Sequence, residues 1–163
     1  EHQSGMMRAT MEHIHTPYLL YIEADAPLTP DRAIDFDAIT AYLDSGEAHT
    51  VRLHHENVIP KEHDSLMLGD KDGFMRTYQW SQRPHVSSLI YYKDVVLPNL
   101  PEHNFIEDTH HGIVQNDYIV YGMQGWYKHR LWIYYPDGGI QRSYHTDGRA
   151  GGLKYTADDE ANK

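Results

Sequence analysis

Tyr18-Leu19-Leu20-Tyr21-Ile22-Glu23-Ala24-Asp25, followed by Ala26-Pro27-Leu28-Thr29-Pro30, decides how this chain reads. An almost wholly apolar run ends in two carboxylates and is closed by two prolines. A run of this kind, bounded by turn residues, reads as a strand buried on both faces. Alternate side chains of a strand share a face, so Glu23 and Asp25 are expected to project together from its end. Two like charges side by side are costly to bury unless something positive lies between them. A divalent cation with oxygen ligands meets that need. The alternative is a strand that ends at the surface, with both carboxylates in water.

The rest of the chain narrows the function classes. Its 163 residues fit one domain with a real core. The formal net charge is -10, from 24 acidic and 14 basic residues. That balance disfavours nonspecific nucleic-acid binding and leaves room only for a local basic groove. No apolar run approaches the 18 or so residues of a membrane span, and Glu1-His2-Gln3-Ser4-Gly5 lacks a signal-peptide pattern. The absence of cysteine excludes disulfides and thiolate metal sites, and the expected compartment is the cytoplasm. Thirteen histidines are many, but number alone does not make a metal centre.

The order of elements reads as α/β. A short helix is expected over 6–15 with Ser4 as its cap, then the strand at 18–24, then a helix over 34–43 ending at Ser45-Gly46. Strands follow at 49–54, 86–92, 118–121 and 131–135, and residues 56–73 read as one long charged loop. A helix over 106–115 opens with Glu107 and Asp108, where acids suit the positive end of the dipole. Asp137-Gly138-Gly139 signals a turn, and residues 148–163 read as a Gly-rich, charged tail appended to a unit over 1–147.

Four features in this order resemble the second half of a GT-A glycosyltransferase, near the family 2 inverting enzymes. They are the helix and strand ending in Glu23-Ala24-Asp25, similar to that fold's DxD metal motif; the 34–43 helix with its following strand; Ile106-Glu107-Asp108, similar to the family's acceptor-side ED motif; and Ile133-Tyr134-Tyr135-Pro136 with Arg142-Ser143-Tyr144-His145, similar to the late strand and metal-shell histidine. The resemblance implies a mixed sheet flanked by helices, with the N-terminal, nucleotide-binding part of the fold missing. Two departures stand out. Glu23 replaces the first Asp of the motif and reaches one carbon further, toward a ribose or a water. Only residues 1–17 precede the strand, so the expectation is a fragment whose other half belongs to the same protein.

The resemblance further implies transfer of a sugar from a nucleotide-diphosphate donor to a hydroxyl acceptor, with inversion. The leaving diphosphate needs its charge stabilised, and a divalent Lewis acid does so. Oxygen ligands with one imidazole suit Mn²⁺ or Mg²⁺. Asp25 and His145 are the expected metal ligands, with Glu23 and Arg142 beside them on the donor; for His145 the alternative is a hydrogen-bonded histidine beside a Gly turn. Asp108 is the expected base for the acceptor hydroxyl, with Glu107 as its neighbour; the alternative is a helix start carrying two favourable acids. In Gln79-Trp80-Ser81-Gln82-Arg83-Pro84-His85, the residues Trp80, Arg83 and His85 are candidates for sugar contacts by stacking and hydrogen bonding; the alternative tucks Trp80 into the core. His54-His55 and His110-His111 lack zinc spacing, since adjacent residues do not face one site. A non-catalytic carbohydrate- or partner-binding piece is the second reading of the whole.

Overall fold

The computed structural model describes residues 3–102, 104–136 and 139–146. Six strands form one mixed sheet: β1 (Tyr18–Tyr21), β2 (Thr50–Arg52), β3 (Met67–Lys71), β4 (Phe74–Thr77), β5 (His85–Ser88) and β6 (Leu131–Tyr134), in the order β1-β5-β2-β6-β4-β3. Antiparallel β5 lies between β1 and β2, so β1, β2 and β6 run in one direction. β4 and β3 continue the sheet antiparallel beyond β6. Helices α1 (Gln3–His13), α2 (Phe36–Asp44), α3 (Leu89–Tyr91), α4 (Ile106–Tyr121) and α5 (Met123–His129) surround it. α3 runs on through a π turn (Tyr92–Val96) and a 3-10 turn (Leu97–Asn99).

Alternation along the strands divides the core in two. Leu19 and Leu131 join Met11 of α1, Leu89, Tyr91 and Tyr92, and Ile106 and Val114 of α4. Val51, Val86 and Trp132 join Ile39 and Leu43 of α2 and Trp126 of α5. Thus helices cover both faces of the sheet, as an α/β architecture requires. On the first side a polar chain is buried: Asp117 Oδ2 to His129 Nε2 (3.0 Å), His129 Nδ1 to the Tyr91 hydroxyl (2.9 Å), and that hydroxyl to His110 Nε2 (2.9 Å).

Several expectations are corrected. β1 is an edge strand of four residues, not a central one; Leu20 is 46% exposed and Ile22 44%. An apolar run reports how hydrophobic a segment is, not how many neighbours the sheet gives it. Ser4 lies inside α1 rather than capping it, and its Oγ donates to the Glu102 carbonyl at 2.7 Å. The loop expected over 56–73 contains a 3-10 helix (Lys61–Leu66) and β3. A two-residue turn, Asp72-Gly73, joins β3 to β4 with φ of 53° and 80°, both left-handed as a type I′ hairpin demands. The strand expected over 118–121 is the last turn of α4, because helical continuation stacks Tyr118 on Tyr78 with ring centroids 4.2 Å apart. The strand expected over 86–92 turns helical after Ser88. Of the turn expected over 137–139 only Gly139 is described, its N donating to the Pro136 carbonyl at 2.9 Å, and the tail expected over 148–163 lies outside the described residues.

Candidate functional site

In open α/β sheets, ligand sites collect at the carboxyl ends of the parallel strands. Here Tyr21, His85, Arg52 and Ile133 form one row across β1, β5, β2 and β6. Just beyond that row β1 delivers Glu23 and Asp25, β2 delivers His54, His55 and Glu56, and the segment entering β5 delivers Gln82 and Arg83. The chain turns sharply after β1, with Ala26 N donating to the Glu23 carbonyl at 3.1 Å. Glu23 and Asp25 therefore sit on a turn, not on the strand that their spacing predicts.

Glu23 is held by three groups. Its Oε1 accepts from the Tyr21 hydroxyl (2.9 Å), Gln82 Nε2 (3.1 Å) and Gln3 Nε2 (3.4 Å). Burial raises its pKa, the Tyr21 bond opposes the rise, and the charges of Asp25 and Glu107 add to it. Gln82, which sequence reasoning passed over, joins this turn to the start of α4. Its Nε2 also donates to the Tyr21 hydroxyl (2.9 Å), its Oε1 accepts from Glu107 N (3.0 Å), and its own N donates to Glu107 Oε1 (3.3 Å). Glu107 and Asp108 stand in the first turn of α4, as expected, and both are exposed.

Arg83 faces this acidic group. Burial lowers its pKa, while the charges of Glu107, Glu23, Asp25 and Glu56 raise it. The other two residues expected to touch sugar are corrected. Trp80 is 2% exposed, its ring set edge-on against His85 and His110. His85 is 1% exposed and stacked against Tyr21 and Tyr92. Neither ring offers a face to a ligand: the strand row packs His85 beneath the site, and Trp80, ahead of β5, lies in the core on the α1 and α4 side. His85 instead supports Arg83: its Nδ1 bonds the Arg83 carbonyl at 2.7 Å and its Nε2 the Tyr92 hydroxyl at 2.5 Å. Burial pushes its pKa down to about 4, so the ring is neutral at pH 7.

The C-terminal segment returns along the Asp25 loop. Thr29 N donates to the Arg142 carbonyl (2.9 Å), Tyr144 N to the Pro27 carbonyl (3.1 Å) and Thr146 N to the Asp25 carbonyl (2.9 Å). These bonds bring His145 to the same edge, its ring edge-on to His55 with centroids 6.0 Å apart. Arg142 is engaged elsewhere: Nε donates to the Ala33 carbonyl (2.9 Å), a terminal nitrogen to the Gln141 carbonyl (2.8 Å), and the guanidinium lies over Tyr134. The expected role of Arg142 on the donor phosphates is corrected to that of a strut between loops.

A cleft of about 310 Å³ opens at this edge, lined among others by Arg52, His54, His55, His63, Arg83 and Glu107. Burial pushes the pKa of His54 down to about 4 and that of His55 to about 3, with the nearby arginine charges adding to burial. Among the described residues no group of three or more His, Asp or Glu side chains converges as a ready cage for an ion. The backbone pairing of their segments brings Asp25 and His145 to the same edge of the sheet. Mg²⁺ in particular is commonly held by one or two protein groups together with substrate phosphates. No helix among the described residues is long and apolar enough to cross a membrane. No protein-family model, curated protein or solved structure matches this chain.

Proposed function

We propose that this chain is the catalytic, acceptor-side part of a metal-dependent glycosyltransferase of GT-A type, acting on a nucleotide-diphosphate sugar with inversion. The observation that supports it is convergence. The Glu23–Asp25 turn, the Gln82–Arg83 segment, the Glu107–Asp108 helix start and His145 are far apart in sequence and meet at one edge of the sheet. In this reading Asp25 and His145 hold Mn²⁺ or Mg²⁺ with the donor diphosphate, and the ion, when bound, supplies Lewis acidity toward the leaving group. The acceptor oxygen attacks the anomeric carbon, the bond to the diphosphate oxygen breaks, and the diphosphate leaves with the electron pair. Asp108 takes the hydroxyl proton, and Arg83 adds positive charge near the acids.

The test is metal-dependent donor hydrolysis, which needs no known acceptor. With Mn²⁺, a panel of UDP- and GDP-sugars and the full-length protein, slow release of UDP or GDP is expected, together with its loss in Asp25→Asn at unchanged Tm. Silence across the panel from folded protein would remove the enzyme reading. One observation favours a second reading, a non-catalytic carbohydrate- or partner-binding module: Oε1 of Glu23 is held by Tyr21, Gln82 and Gln3, as in a structural anchor.

A further inference from the structure

Among the described residues, twelve buried side-chain nitrogen or oxygen atoms lack a hydrogen-bond partner. Six of the twelve belong to residues lining the cleft beyond β2: Arg52 Nε, His54 Nδ1 and Nε2, His55 Nδ1, Glu56 Oε2 and His63 Nδ1. Two of these face one another, His54 Nε2 and Glu56 Oε2, at 3.5 Å. The other four are nitrogens. Buried polar groups are satisfied in the great majority of cases, so several orphans around one cavity point to a polar ligand.

The charges say which kind. Arg52 is 5% exposed, and among the described residues its terminal nitrogens bond only to Gln79, at the carbonyl (3.4 Å) and at Oε1 (3.3 Å). No described carboxylate forms a salt bridge with it or with Arg83. A buried charge without a close counter-ion is strongly unfavourable. Burial lowers the pKa of Arg52 to about 10, and the like charge of Arg83 is the next cause. Of the cleft's acids, Glu56 faces His54 at 3.5 Å and His55 at 3.6 Å, Glu107 accepts from Gln82 N, and Glu62 is exposed to water. The imidazoles complete the description. Each neutral ring has one N–H. With Nε2–H of His54 and His55 turned toward Glu56, their Nδ1 atoms are bare and accept hydrogen bonds.

We propose that this cleft binds a hydroxylated acid, with its phosphate or carboxylate group between Arg52 and Arg83 and its hydroxyls donating to Nδ1 of His54 and His55. At about 310 Å³ the space is at the lower end of small-molecule pockets. As the seat of an acidic sugar acceptor beside Glu107, the proposal rests on the transferase reading; as a site for a hydroxylated acid, it stands alone.

The experiment follows the His54 and His55 ring resonances of the full chain while glucose 6-phosphate, glucuronate or glucose is added. Saturable shifts are expected with one or both acids and not with glucose, and the tighter acid identifies the anionic group. Arg83→Gln, at unchanged Tm, should weaken that binding at least tenfold. Should that variant fold poorly, the comparison of charged with neutral probes on the unaltered protein still decides. An equal response to glucose, no response to either acid, or undiminished binding in folded Arg83→Gln overturns the proposal. So does saturable Mn²⁺ binding to these rings that excludes both acids. Donor hydrolysis without acid binding removes this site and leaves the transferase reading. Acid binding without donor hydrolysis keeps the site and removes that reading.

Discussion

The amide of Gln82 bonds toward Tyr21, Glu23 and Glu107, and so ties the loop after β1 to the start of α4. That tie holds the Asp108 turn in place while leaving Asp108 itself exposed. Asp108→Asn is therefore expected to leave the fold and donor hydrolysis intact and to slow transfer to an acceptor by ~10²–10⁴-fold, the usual contribution of a general base. A variant that transfers at full rate, compared under single-turnover conditions, assigns the proton to another group. Glu23, Asp25 and Arg83 were singled out for their chemistry, and Glu107 and His145 through the resemblance; the fold gathers their segments at one edge of the sheet. Trp80 and His85 were misread because composition lists what a segment could touch, while strand register turns His85 beneath the surface and core packing takes up Trp80. Nothing in the sequence separates Gln82 from Gln79. Arg52, by contrast, left a signal that went unused: a lone guanidinium within Thr50-Val51-Arg52-Leu53, a strand otherwise fit for burial.

Among the elements, α2, β2 and β6 followed their patterns closely. In α2, Asp35 Oδ1 caps Ala38 N at 2.9 Å, and Gly46, at φ 72°, closes the far end. The β3–β4 hairpin was missed although Asp72-Gly73 carries its turn chemistry, because the flanking charges masked the alternation. Tyr118-Ile119-Val120-Tyr121 has the composition of a strand, and only packing holds it helical. That packing depends on the close approach of α5 to α4. A Cβ built on Gly125 would lie 1.9 Å from the Asp117 carbonyl oxygen, a backbone atom that cannot swing aside. Gly125→Ala should force the helices apart and lower stability by about 1–3 kcal/mol, the usual range for overpacking. Denaturant unfolding checks this, and an unchanged midpoint would mean that the two helices have room to spare.

For the whole molecule, the buried histidines set the response to acid. Burial, the largest cause in each case, pushes the pKa of His54 and His85 down to about 4 and that of His110 to about 3. In the unfolded chain these rings titrate near 6.5. Between that value and about 4 the unfolded state binds more protons, so stability rises with pH there. Their contribution is fully present above about pH 6.5 and is lost as pH falls toward 4. His85 alone accounts for about 3 kcal/mol over that interval. Thermal melts at neutral pH and at a pH between these values should differ sharply, and equal Tm values would mean that the rings are not buried neutral.

The buried chain from Asp117 to His110 has a polarity that follows from valence alone. Bonds to His129 and Lys128 hold the pKa of Asp117 down against its burial, so the carboxylate is ionised and can only accept. The proton of neutral His129 therefore sits on Nε2, and its bare Nδ1 takes the hydroxyl hydrogen of Tyr91. The phenol oxygen is then the acceptor for His110, whose proton is fixed on Nε2 as well. One half-buried carboxylate thus dictates the tautomers of two interior rings, and the protein core carries a fixed, one-way ordering of hydrogens that reaches to the underside of Trp80.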